Sequence, residues 1–152
     1  MGSWQRSRQR IPGEEPPKDF AEGLDRIVVP ELNLGQICHV VREAVNGGAK
    51  VELVPNPHYR QGMFSSVQAG LARVQAPRAF LTPGDYAFIA PTVYDRMLQV
   101  QAEIVLPTYR GKKGHPVLLG QTAIAEILAL PGDAILRDYI QGRGFAALAV
   151  EE

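Results

Sequence analysis

Two hydrophobic periods alternate along this chain, and that alternation constrains its fold more than anything else. Short apolar runs read as strands: RIVV (26–29), KVELVP (50–55), AFLT (79–82), EIVLP (103–107), VLLG (117–120) and FAALAV (145–150). Between them the apolar residues recur at helical spacing. Leu34, Ile37, Cys38, Val41 and Val45 share one face of a helix that Asn33 is placed to cap and Gly47-Gly48 to end. Val67, Leu71 and Val74 form the inner face of FSSVQAGLARV, and Val93, Met97 and Leu98 that of a helix opened by Pro91. Thr122 is a cap for a helix carrying Ile124, Ile127 and Leu128, and Asp133 for DAILRDYI. Strands alternating with helices predict a mostly parallel sheet covered on both sides. The TYRGKKGHP loop between two short strands predicts one antiparallel excursion.

Composition narrows the class. A chain of 152 residues with 45% apolar and 21% charged residues is long enough for one domain with its own core. Residues 1–23, rich in proline and charge, read as an irregular arm, and 24–152 as one α/β domain. Lysine plus arginine equal aspartate plus glutamate at 16 each, which gives no overall attraction to nucleic acid or an anionic membrane. The single cysteine, Cys38, leaves no intrachain disulfide and no thiolate metal cluster. No apolar run has the length of a membrane span, and MGSWQRSRQR lacks the apolar stretch of a signal peptide, so the expected location is the cytoplasm.

In open α/β sheets ligands bind beyond the carboxyl ends of the strands, and every candidate group falls there. Asp85 follows AFLT and Pro83-Gly84. A carboxylate at that place suits a hard cation such as Mg²⁺, although P-G-D is also ordinary turn chemistry. Ser65-Ser66-Val67-Gln68 fits a capping box, and a helix N-terminus also offers free N–H groups to phosphate or a base edge. Gly62 lets the preceding backbone turn or be approached closely. Asn56, between two prolines, can read a nucleobase or satisfy its own loop. Arg110, Lys112, Lys113 and His115 crowd one loop that can clamp an anion or form a solvated tip. Three scattered histidines give no metal-ligand spacing, and no Walker or G-x-S-x-G motif occurs.

In order, the strings NPHYRQGMFSSVQAGLA, AFLTPGDYAFIAPTVYDRML, IVLPTYRGKKGHPVLLG and ALPGDAILRDYI resemble the molybdenum cofactor cytidylyltransferases. These belong to a larger nucleotidyltransferase superfamily that includes the guanylyltransferase of the same pathway. The resemblance spans roughly residues 24–150. It implies a three-layer α/β/α Rossmann-like fold. It also implies Mg²⁺-dependent transfer of CMP from CTP to the phosphate of molybdopterin, with release of pyrophosphate. CTP is expected over GTP, and a molybdoenzyme or its chaperone is a further expected partner. Under the resemblance Asp85 is the catalytic metal ligand. Asn56, Gly62, Ser65, Ser66 and Gln68 line the nucleotide pocket. Arg110, Lys112, Lys113 and His115 lie near the pterin, and Asp133 and Arg137 match the G-D-x-x-x-R segment. The family's opening strand with its glycine-rich triphosphate loop, and its late D-I-D-T-P-E-D segment, have no counterpart here, so the chain reads as truncated at both ends. Two alternatives follow: an inactive remnant that binds nucleotide or a partner protein, and a sugar-phosphate nucleotidyltransferase.

Overall fold

A computed structural model describes residues 26–31, 50–83 and 89–151 of the chain. Strands β1 (Arg26–Glu31) and β2 (Lys50–Pro55) pair in parallel, with Arg26 opposite Lys50 and Glu31 opposite Pro55. A 3₁₀ turn at Tyr59–Gln61 then leads into helix α1 (Met63–Leu71). Strand β3 (Arg78–Leu81), helix α2 (Pro91–Leu98) and strand β4 (Ile104–Tyr109) follow. A hairpin joins β4 to the two-residue β5 (Lys112–Lys113), and β6 (Val117–Gly120) runs directly into helix α3 (Gln121–Ala129). Helix α4 (Leu136–Arg143) and strand β7 (Ala146–Ala149) complete the described order.

The second sheet has the order β3-β6-β4-β5, with β7 on β4. Strand β6 is antiparallel to both β3 and β4, whereas β7 is parallel to β4. It follows that β3, β4 and β7 point the same way and β6 runs against them. This is the antiparallel excursion the short strands foretold. The fold is mixed α/β and Rossmann-like.

Strand periodicity divides the core between two faces. Ile104 and Leu106 of β4, with Val117 and Leu119 of β6, pack with Phe64, Leu71, Ala123, Ile124, Ile127 and Ile140. The intervening Val105 and Leu118 face the other way and meet Met97. Helices α1, α3 and α4 therefore cover one face and α2 the other, which is the expected three-layer arrangement. Met97, Val105, Leu119 and Ile127 are wholly buried. Truncating one of them to alanine costs about 2–5 kcal/mol, the sum of lost transfer energy and the cavity left behind.

Helix α1 binds the two sheets together. A Cβ on Gly70 would lie 3.1 Å from Cγ of Pro30 in β1, while Phe64 and Leu71 enter the core of the second sheet. Across β1 and β2, Glu52 pairs with Arg26, and Arg73 approaches Glu52 at 3.9 Å. Among the described residues no helix is long and apolar enough to cross a membrane.

Several expected boundaries shift for identifiable reasons. Helix α3 begins at Gln121, so Thr122 is not its cap. Its N-terminus is satisfied from outside: Glu103, just before β4, accepts the Ala123 N–H through Oε2 at 3.0 Å. A Cβ on Gly120 would lie 2.6 Å from that oxygen, so a larger residue there requires the Glu103 carboxylate to swing aside. Helix α4 begins after Ile135, and Asp133 lies in the preceding turn, where the Ala134 N–H donates to Pro131 O at 3.0 Å. Leu98 and Leu128, expected inside, are 42% and 39% exposed, because Met97 and Ile127 take the inward positions beside them. The helix expected over 34–45 and the arm at 1–23 lie outside the described residues.

Candidate functional site

Two segments carry most of the sequence candidates. The first is the turn from β2 to α1. Helix α1 starts at Met63, two residues before Ser65, because Gly62 is its N-cap with φ 108° and ψ 178°. That region is essentially reserved for glycine. The expected capping box does not form. Ser65 is the third helical residue, and its Oγ donates to Gly62 O at 2.8 Å or to His58 O at 3.0 Å. Gln68 points across the structure instead of back to Ser65. Its Nε2 donates to the carbonyls of Ile127 at 3.1 Å and Leu130 at 2.9 Å, at the C-terminal end of α3. A helix end has carbonyls short of partners, and Gln68 adds a bond to Ile127 O, which also accepts the Leu130 N–H at 3.2 Å, and one to Leu130 O.

Asn56 is buried at the end of β2. Its Nδ2 donates to Ser65 Oγ and to Ser66 Oγ, both at 2.9 Å, and its Oδ1 accepts the His58 N–H at 2.9 Å. The amide oxygen thus meets the loop backbone, and the amide nitrogen meets the two serine side chains of α1. At the opposite extreme stands Met63, 82% exposed at the first helical position. Gln61 lies against the turn before α4, its Oε1 2.8 Å from where a Gly132 Cβ would stand. That contact brings the loop bearing exposed Asp133 beside the β2–α1 turn.

The second segment is the β4–β5 hairpin. The sequence alone reads it as a flexible loop, but it is a tight one. Thr108 pairs with Lys113 and Tyr109 with Lys112, leaving Arg110 and Gly111 as a two-residue connection. Both have positive φ, 48° and 77°, the condition of a type I′ turn, which matches the twist of paired strands. Gly114 N–H adds a bond to Pro107 O at 2.9 Å. The Arg110 guanidinium stacks over Tyr109, 5.0 Å from the ring centroid, and stays exposed. The Lys113 ammonium sits 4.4 Å over the Phe145 ring at the start of β7. Lys112 is exposed, and His115, half-buried, precedes Pro116 through a cis peptide.

Asp85 lies outside the described residues. Among those described, no three His, Cys, Asp or Glu side chains group as metal ligands. Arg137 is exposed, with Nε 3.8 Å from Asp138. One polar cluster was not legible in the sequence. Glu126 of α3 accepts the Tyr139 hydroxyl at 2.6 Å and two bonds from Arg143, at 2.7 and 3.1 Å. Arg143 and then Tyr139 hold the Glu126 carboxyl below its ordinary range. Burial, then the Glu126 bond, pushes the Tyr139 phenol up to about 12. This cluster joins α3 to α4. The Tyr94 phenol, set edge-on to Phe80 with centroids 4.9 Å apart, is also raised by burial.

An α/β sheet whose candidate residues gather in strand-to-helix turns and a cationic hairpin defines, together with the comparisons below, a nucleotidyltransferase. Residues 26–148 match the family described as the MobA-like NTP transferase domain, and the chain belongs to that family. The molybdenum cofactor cytidylyltransferase of Escherichia coli (strain K12) is 24% identical over 147 residues, covering 92% of this chain and 73% of that protein. Two crystal structures of Rv0371c from Mycobacterium tuberculosis H37Rv are similar in fold. The one in complex with manganese has a TM-score of 0.63 at 28% identity, covering 86% of this chain and 70% of that one. The other has a TM-score of 0.62 at 30% identity, covering 86% and 68%.

Proposed function

We propose that this nucleotidyltransferase transfers CMP from CTP to the terminal phosphate of molybdopterin, releasing pyrophosphate. The similarity to the Escherichia coli molybdenum cofactor cytidylyltransferase along nearly the whole chain supports the choice of nucleotide and acceptor. Within the chain, the supporting observation is Arg110. A non-glycine residue at φ 48° costs about 1 kcal/mol relative to glycine or asparagine, the residues such turns prefer. A long cation kept there in spite of that cost, exposed beside Lys112, fits a group selected to meet an anion.

In this reading the β2–α1 turn, with Asn56, Gly62, Ser65, Ser66 and Gln68, borders the nucleotide. Arg110, Lys112, Lys113 and His115 border the pterin phosphate. Transfer of this kind rests on positioning and charge neutralisation more than on covalent chemistry by the protein. The exposed cations of the hairpin orient the acceptor phosphate, and arginine does so through two parallel bonds. Mg²⁺, with Asp85 as its ligand, belongs to the proposal through the sequence resemblance; when bound it neutralises phosphate charge. A molybdoenzyme or its chaperone is the partner that receives the product.

The experiment is incubation of the protein with CTP, Mg²⁺ and molybdopterin and assay of pyrophosphate, with GTP in parallel. CTP-dependent release that Asp85→Asn abolishes supports the proposal. Release with GTP alone, or release unchanged in Asp85→Asn, overturns the base assignment or the metal role respectively.

A further inference from the structure

Among the described residues, β7 pairs with β4 alone, which leaves its other edge open. A strand carries N–H and C=O groups toward both edges, alternating from residue to residue. The phase is fixed here by Val150, whose N–H donates to Thr108 O at 2.9 Å, with Thr108 opposite Ala149. The backbone groups of Ala146, Leu148 and Val150 therefore turn toward β4, and those of Ala147 and Ala149 turn away from it. Both alanines are exposed. The run FAALAV (145–150) around them has no charge and no proline. An open edge of that composition is a template for a further strand. One of its outward groups is already engaged. Arg96, in the last turn of α2, donates from Nη2 to Ala149 O at 2.8 Å. Helix α2 packs through Met97 on the face of β7 that carries Ala146 and Leu148, so Arg96 reaches the edge from the adjoining layer.

We propose that β7 is a pairing edge for a second copy of this chain and that Arg96 holds it closed. The second copy fits because the edge is complementary to itself. Two β7 strands laid antiparallel about Leu148 set Ala147 of each opposite Ala149 of the other, and the facing N–H and C=O groups exchange bonds. Alanine side chains put no bulk along that seam. With 16 basic and 16 acidic residues, no net charge holds two copies apart. Half of the bonds in this pairing end on an Ala149 carbonyl, the acceptor that Arg96 occupies. The guanidinium also brings a positive charge from each copy to the same seam, and like charges facing each other across strands are destabilising. The inference is independent of the reaction proposed above.

The test is sedimentation equilibrium of wild type, Arg96→Ala, Arg96→Met and the double variant Arg96→Ala/Ala147→Pro, with amide hydrogen exchange followed by NMR. Both single variants should self-associate about tenfold more tightly than wild type, their apparent mass rising toward twice the wild-type value with concentration. Exchange at the Ala147 and Ala149 amides should slow in step with that rise. Proline at 147 removes an outward donor and leaves the bonds to β4 in place, so the double variant should return to the wild-type state. Should Arg96→Ala not fold, Arg96→Met, which keeps the apolar stem, carries the test, with Ala147→Pro added to it. Equal self-association in wild type and the single variants overturns the proposal. So does association that Ala147→Pro leaves untouched, or that protects neither the Ala147 nor the Ala149 amide. A wild type already paired through those two amides overturns the role of Arg96.

Discussion

The β2–α1 turn and the β4–β5 hairpin are both loops at strand ends, and both were marked in the sequence for their polar residues. They are built on opposite plans. In the turn the polar side chains face inward, and Asn56, Ser65 and Gln68 spend their hydrogen bonds on the protein itself. In the hairpin the backbone is spent on strand pairing and a two-residue turn, and the side chains Arg110, Lys112 and Lys113 remain exposed. A loop rich in polar residues can thus serve by shaping its main chain or by displaying its side chains. Burial tells the two apart where composition does not.

The contrast breaks most readily at Gly62. Gly62→Val places a β-branched residue at φ 108°, and the expected loss is about 2–3 kcal/mol of folding stability together with nucleotide affinity. Urea unfolding and calorimetry measure both. A loss below about 0.5 kcal/mol would mean the turn does not depend on that conformation. In the hairpin, Arg110→Asn should separate the two quantities. Asparagine suits the type I′ turn, so stability should rise by about 0.5–1 kcal/mol while the KM for the anionic acceptor rises. If stability and acceptor affinity fell together, Arg110 would belong to the fold and not to the display.

A smaller effect sharpens the division within the hairpin. Lys113→Ala removes the cation from the Phe145 ring and should cost about 0.5–1 kcal/mol while raising acceptor KM less than Lys112→Ala, which should leave stability nearly unchanged. The smallest effect is expected where neither plan applies, at the partly exposed Glu126–Tyr139–Arg143 cluster. Glu126 lies below its ordinary range, so its contribution is full above that range and is lost as pH falls through the lowered value. Tyr139, raised to about 12, contributes fully below pH 10 and loses that contribution as pH rises toward 12. Thermal unfolding across pH should show both edges. Glu126→Gln should remove the acidic one and Tyr139→Phe the alkaline one.

Much of the fold was readable from period alone. The runs at 26–29, 50–55, 79–82, 103–107, 117–120 and 145–150 all contain strands, because a buried strand needs only a short apolar run to declare itself. Helix starts were read less well, and for a common reason. Sequence reasoning looks for a cap among neighbours in the chain. Here α1 is capped by backbone conformation at Gly62, and α3 by a carboxylate on another element. The site residues were found by type and place, but not by direction. Nothing local to Gln68 indicates that its amide spans to Leu130, since that bond exists only once α1 and α3 are packed.

The meeting of Glu103 with Gly120 has a consequence for anyone who redesigns this scaffold. The carboxylate occupies the volume that any larger residue at 120 would claim. The two positions therefore behave as one letter of the code. A larger residue at 120 alone pushes the Glu103 carboxylate aside and so puts its bond to the Ala123 N–H at risk. Paired changes, a shorter residue at 103 with a serine or aspartate at 120, would move the cap onto its own helix.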